Sequence, residues 1–259
     1  MDIVDRAIML AVKAHSGDCR KGTKLPYIVH PIESCAIAAS ITDDKEIIAA
    51  AVLHDVVEDT DITKEELLKE FGERVVNLVM SDTEDKMREI SSADSWQARK
   101  QATLNRLKNA TKEEQIICIA DKLSNLRAIH RDYIALGEKF WQRFNHKDSK
   151  QHAWYYSGIA ERLTLLKETE AYKEYVELLN KTFCKYYKRK DWNNIIFKID
   201  EYGEFYYMSI YHKGWNKDWM HDDYETYFRE DLDANSEKIV ELSKEEAEEF
   251  IEEIVNKEI

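Results

Sequence analysis

The stretch AVLHDVVEDT, residues 51–60, sets His54, Asp55, Glu58 and Asp59 among Ala51, Val52, Leu53, Val56 and Val57. The apolar part reads as a helix packed into a core. An imidazole and three carboxylates do not belong there uncompensated, because burying an ionised group without a partner costs several kcal/mol. On a continuous helix, residues four apart share a face, so His54 stacks with Glu58 and Asp55 with Asp59. Adjacent residues are about 100° apart, which lets His54 and Asp55 lean toward one point at the helix edge. The first pair then offers a nitrogen and an oxygen to a cation. The second sits one turn away, within reach of a proton on a water.

Two further stretches carry the same kind of residue. PYIVHP, residues 26–31, places His30 at a helix start, and IADKLSNLR, residues 119–127, places Asp121 directly after an apolar run, with Asn125 four residues on. Taken singly these are unremarkable: a lone His30 is a packing histidine, Asp121 has Lys122 and Arg127 nearby for an ion pair, and a bare His-Asp dipeptide says little. Taken together, the series His30, His54, Asp55, Asp121, with each acid embedded in apolar residues, predicts a divalent-metal site. Two imidazoles and two carboxylates suit Mn²⁺, Fe²⁺ or Zn²⁺. Such an ion makes a water nucleophilic near neutral pH and neutralises charge on a phosphoryl oxygen.

The rest of the chain frames this site. It has 259 residues, a formal net charge of −13, 44% hydrophobic residues, seven glycines and two prolines. The scarcity of breakers favours long helices. The acidic balance argues against nucleic acid as a partner, since such proteins usually carry a basic face. No window approaches a membrane span, and the N-terminus lacks the pattern of a signal peptide. The four cysteines are far apart and form no C-x-x-C pair, so a reduced, cytoplasmic protein without a thiolate site is expected.

Helical periodicity over residues 2–15, a helix beginning at HPIESC with Pro31 in its first turn, and a helix over about 44–58 open the chain. Capping boxes at Thr63/Glu66 and Thr111/Glu114 start two more helices, and Gly72 separates the first of these from its successor. Residues 81–94 read as an acidic loop and 95–110 as an amphipathic helix. Two more helices are expected over about 137–146 and 149–180. After about residue 185 aromatic and β-branched residues crowd a stretch split at Tyr202-Gly203, which predicts two strands and a turn. Ser243/Glu246 caps a final helix. The expectation is a mainly α protein: a helical domain over 1–183 and a small α+β accessory domain over 184–259.

PYIVHP, LHDVVEDTDIT, EFG and ADKLSNLR, in this order, closely resemble the HD-domain hydrolase module of the RelA/SpoT family and its small stand-alone SpoT homologues, over roughly residues 3–165. The resemblance implies an all-α HD-domain bundle. It also implies Mn²⁺-dependent removal of the 3′-pyrophosphate of guanosine tetra- or pentaphosphate, giving GDP or GTP and pyrophosphate. By motif, His30, His54, Asp55 and Asp121 match the family's metal ligands, Glu58 and Asp59 the acids that activate water, Arg20 and Lys21 a pair near the nucleotide, and Asn125 a contact to its sugar. The loop RKGTKLPY is one residue longer than the usual pattern, SDTEDK replaces a GVTK-like turn, and WQARKQATLNR resembles uncharacterised HD proteins. No synthetase motif follows.

Among cations, Arg20, Lys21 and Lys24 cluster in the loop before His30, and Lys86 and Arg88 are weaker candidates for the same phosphates. Tyr155 or Tyr156 is a candidate to face a base or ribose, with Tyr155 preferred, although aromatics at helical spacing normally pack. KYYKRKD, residues 185–191, reads as a solvated linker; His221, Asp222 and Asp223 have no second histidine at ligand spacing. Two other functions stand beside the first: a phosphatase acting on NADPH or another phosphorylated nucleotide, and a nucleotide-binding sensor whose C-terminal domain contacts a protein. Self-association stays open.

Overall fold

The computed structural model describes residues 1–259 except 85–90, 193, 201–203, 218–227, 233 and 258–259, and the side chains of 244 and 245. The chain divides into two compact units, Met1–Leu179 and Asn180–Ile259. It is mainly α, with a small antiparallel sheet near the C-terminus. Lys86, Arg88, Tyr202-Gly203 and His221–Asp223 lie outside the described residues.

The first unit opens with α1 (Ile3–Ala14), capped by Asp2, and α2 (Val29–Ala39). Pro31 is the third residue of α2, still in the turn where a missing N–H costs no helical bond. The helix expected over 44–58 breaks in two: α3 (Lys45–Leu53) and α4 (Val56–Asp59), with His54 and Asp55 between them. The imidazole itself supplies the reason. His54 Nδ1 lies 2.8 Å from the Ala51 carbonyl, the acceptor that a continuous helix offers to the Asp55 amide.

Helices α5 (Lys64–Phe71) and α6 (Glu73–Asp82) meet at Gly72, whose φ of 84° is open to glycine but strained for other residues. The Thr63 hydroxyl accepts from the Glu66 amide while the Glu66 carboxylate accepts from Thr63 N–H, completing the expected box. Helix α7 (Trp96–Leu107) is followed by α8 (Lys112–Leu136), which Thr111 and Glu114 cap in the same way. Ile116, Ile117, Cys118, Ile119, Ala120 and Leu123 of α8 are buried, so this helix runs through the core and carries Asp121 with it.

Residues 137–143 form a 3₁₀ segment rather than an α-helix. The single helix expected over 149–180 is two, α9 (Ser149–Arg162) and α10 (Glu170–Phe183). Leu163 and Leu166 are fully buried in the connection, and the Thr169 hydroxyl accepts from the Tyr172 amide at 3.2 Å, capping α10. Tyr175 Oη then donates to the Tyr156 carbonyl at 2.9 Å, which ties α10 to α9.

In the second unit the residues read as a linker form a strand, β1 (Lys185–Arg189). It pairs with β2 (Ile195–Ile199), which continues to β3 (Phe205–Ser209) and β4 (His212–Asn216); β5 (Ile239–Leu242) closes the order β4-β3-β2-β1-β5. The charge run misled because side chains alternate faces along a strand. Tyr187 points into an aromatic cluster with Phe197, Phe205, Tyr207 and Phe228, and Arg189 is buried with Asp191 and Asp231 as partners. Ile196, Met208 and Leu242 cover the other face against Ala247 and Ile254 of α11 (Lys244–Asn256), which Ser243 and Glu246 cap as expected. Among the described residues no helix is long and apolar enough to cross a membrane.

Gly158 on α9 has the close approach that glycine allows: a Cβ there would meet Leu104 Cδ1 of α7 at 2.9 Å. Gly158→Ala is expected to cost about 1–3 kcal/mol through overpacking, measured as a lower midpoint in urea or thermal unfolding with an unchanged helical spectrum.

Candidate active site

Three segments of the first unit converge on one point. The start of α2 brings His30, the break between α3 and α4 brings His54 and Asp55, and the middle of α8 brings Asp121. His30 Nε2 and His54 Nε2 are 3.1 Å apart. Asp121 Oδ1 is 3.1 Å from the first and 3.6 Å from the second; Asp55 Oδ2 is 3.4 Å and 3.0 Å away, respectively. Ligand atoms of His30, His54 and Asp121 all lie within 4.8 Å of one another, and all three side chains are buried.

The surrounding hydrogen bonds fix the tautomers. A carbonyl can only accept, so the Nδ1 of His54 facing Ala51 carries the proton, and in the neutral ring its Nε2 presents a lone pair. Ser124 Oγ donates to Glu33 Oε2 at 2.7 Å and therefore accepts from His30 Nδ1 at 2.8 Å, which frees the Nε2 of His30 as well. Glu33 is held in turn by Arg127. Two lone pairs and two carboxylates thus face one another in the core, a donor set that fits a divalent ion. Electrostatics say the same in another way. Burial opposes charging His54, yet Asp55 and Asp121 lift its pKa well above the usual value, so positive charge is demanded at this point. Burial likewise opposes ionising Asp55 and Asp121, and the facing histidines, with Lys122 beside Asp121, hold both far below the ordinary range.

The catalytic candidates separate. Glu58 does not stack on His54 into the ligand cluster; its Oε2 accepts from the Glu84 amide at 3.0 Å. Burial pushes its pKa up to about 7, the Glu84 N–H partly offsets this, and Asp55 and Asp59 add to the rise. Asp59 Oδ2 lies 3.1 Å from Tyr27 Oη, which donates to Asp55 Oδ2 at 2.6 Å. Burial beside these two carboxylates keeps the Tyr27 phenol protonated.

A pocket of about 230 Å³ runs from His30 along α8 to the 3₁₀ segment. Arg20, Lys21 and Asn125 are among the residues that line it, and Arg20 donates to Asn125 Oδ1 at 2.6 Å, while Asn125 donates to Asp121. Lys24 is exposed and is not in the lining. Tyr155 is 3% exposed and packs beside Trp96 in the core; the tyrosine that reaches the pocket is Tyr156, one residue on. Sequence reasoning missed Arg131 and Asp132 of α8 and Arg143 and Phe144 at the pocket's far end, because only the turn after α8 brings the last two back beside the first two. It also missed Tyr27 and Ser124, although both stand inside the quoted motifs; Lys122, weighed as an ion-pair partner of Asp121, is that partner.

Residues 7–146 match the family described as HD domain, and the chain belongs to it. It is 35% identical over 134 residues to a GTP pyrophosphokinase of Myxococcus xanthus, covering 50% of this chain and 17% of that protein. It is 32% identical over 131 residues to a guanosine-3′,5′-bis(diphosphate) 3′-pyrophosphohydrolase of Vibrio cholerae, covering 50% and 18%. The chain therefore spans less than a fifth of the length of these relatives. Among solved structures it resembles a Listeria monocytogenes protein (TM-score 0.52, 28% identity, 60% of this chain and 94% of that one). It also shares its fold with a metazoan ortholog of SpoT that hydrolyses ppGpp (TM-score 0.56, 23% identity, 70% and 95%).

Lys122 lies between Asp121 and Asp82 in the core, its charge opposed by burial and maintained by the two carboxylates. Lys122→Met should leave both acids buried without their cation and cost about 3–5 kcal/mol, read as a large fall in the unfolding midpoint of the purified variant.

Proposed function

We propose that the chain is a metal-dependent phosphohydrolase that removes the 3′-pyrophosphate of guanosine tetra- or pentaphosphate, releasing GDP or GTP and pyrophosphate. The observation that carries this reading is the facing pair of Nε2 lone pairs on His30 and His54, with carboxylate oxygens of Asp55 and Asp121 beside them. The names of the relatives, several of which are guanosine-3′,5′-bis(diphosphate) 3′-pyrophosphohydrolases, supply the substrate.

His30, His54, Asp55 and Asp121 would hold the ion, Mn²⁺ by the family resemblance and Fe²⁺ or Zn²⁺ by ligand chemistry. When bound, it supplies Lewis acidity beside the phosphate. The chain does the rest. Glu58, with a pKa near neutrality, takes a proton from the attacking water. Asp59 and Tyr27 brace that side of the centre. Arg20 and Lys21 supply cations for the anionic nucleotide, and Asn125 a polar contact to the sugar. Ile129, Phe144 and Tyr156 offer an apolar wall to a base. Pyrophosphate release requires that water add to the phosphorus joined to the ribose and that the ribose oxygen leave. The catalytic role belongs to residues 1–183, an accessory role to 184–259, and the expected compartment is the cytoplasm.

Purified protein loaded with Mn²⁺ is expected to convert guanosine tetraphosphate to GDP and pyrophosphate, followed by chromatography. A folded, metal-loaded sample that releases no pyrophosphate overturns the substrate; release of orthophosphate from NADPH or a nucleotide monophosphate favours the phosphatase alternative. Tight nucleotide binding without turnover favours the sensor.

His54→Ala should abolish binding of one Mn²⁺ per chain in calorimetry, and chelation of the wild type should stop turnover until Mn²⁺ is restored. Glu58→Gln should lower kcat by about 10²–10⁴-fold while nucleotide binding persists. The base must lose its proton to act, so kcat/KM should rise with pH and level off at or below about 7, because a nearby cation favours the carboxylate. That acid limb should be missing from the residual activity of Glu58→Gln.

A further inference from the structure

Glu84 sits in the extended connection that follows α6, and two sets of contacts meet on it. Its backbone N–H donates to Glu58 Oε2 at 3.0 Å. Its carboxylate receives Arg99 at 2.9 Å, Lys100 at 2.7 Å and the Thr103 hydroxyl at 3.2 Å, all from α7. Arg106, also on α7, donates to the neighbouring Thr83 carbonyl at 3.0 Å. The Glu84 side chain is only 8% exposed, and those of Arg99 and Lys100 are 14% and 18% exposed. Three donors converging on one largely buried carboxylate hold a backbone far more firmly than a surface ion pair, whose worth is usually below about 1 kcal/mol.

We infer that Glu84, clamped by Arg99, Lys100 and Thr103, is a positioning residue that aims its amide at the general base Glu58. The inference rests on the proposed role of Glu58 and extends it: α7, which holds neither metal ligand nor base, sets the orientation of the base. An amide N–H on a buried carboxylate favours its ionised form, while burial disfavours it. The clamp therefore keeps Glu58 poised near neutrality rather than locked as the acid.

The sign of one shift tests this. Deleting the negative charge of Glu84 by itself would ease ionisation of Glu58; losing the aimed N–H would hinder it. Glu84→Leu/Lys100→Met removes the carboxylate together with one of its two cations and leaves Arg99, whose charge would by itself ease ionisation. In this variant Glu58 should still titrate at higher pH by about 0.5 unit or more. Its titration is followed by carboxyl NMR, with the signal assigned by its loss in Glu58→Gln. At pH 7, kcat should fall about tenfold with KM unchanged, while one Mn²⁺ per chain still binds. Thr103→Val, which removes a single contact, should shift Glu58 in the same direction by less, and it decides the matter if the double variant does not fold. An unchanged or lower Glu58 titration in the folded variant overturns the inference. Because the titration needs no substrate, it remains readable even if wild-type protein turns over no guanosine polyphosphate.

Discussion

Two imidazole nitrogens with their lone pairs turned toward each other, 3.1 Å apart and flanked by carboxylate oxygens, cannot rest in a protein core without positive charge between them. Much of the first unit is arranged around that constraint. The Ala51 carbonyl and Ser124 fix which nitrogen of each ring is bare, and Ser124 is itself committed to Glu33. Lys122 neutralises the outer side of Asp121 and also faces Asp82. Each of these groups would be costly to bury alone; together they form a connected polar network in which each member has a partner.

The same constraint explains why the chain interrupts a helix where it does. A continuous helix through residues 44–58 would put His54 and Glu58 on one face and separate His54 from Asp55 around the axis. The break lets both neighbouring side chains reach the same point, and it sends Glu58 toward Glu84 instead. The separation of Glu58 from the His30, His54, Asp55 and Asp121 cluster follows from this local departure from regular structure, a place where local regularity gives way.

The pocket adds a gradient of chemistry along α8. Buried acids and histidines lie at one end, Arg20 and Asn125 stand beside them, and Ile129 and Phe144 lie farther along with Arg131 and Arg143. A protein of strongly negative net charge can therefore still present local cations to an anion, because recognition depends on the few groups within hydrogen-bonding reach rather than on the total.

By itself the sequence determined which residues gather at the candidate site and most of the helices. His30, His54, Asp55 and Asp121 were legible as acids and imidazoles at positions whose neighbours must be buried, and the boxes at Thr63, Thr111 and Ser243 were legible because capping is a local interaction. What the tertiary structure decided is non-local. That residues 185–189 pair between two strands depends on partners at 195–199 and 239–242, which outweigh a polar local composition. That Tyr156 rather than Tyr155 reaches the pocket depends on how α9 is rotated against α7 and α10. That Glu84 meets Glu58 depends on a contact 26 residues apart. Periodicity reports which face of an element is apolar; only packing says which neighbour that face will find.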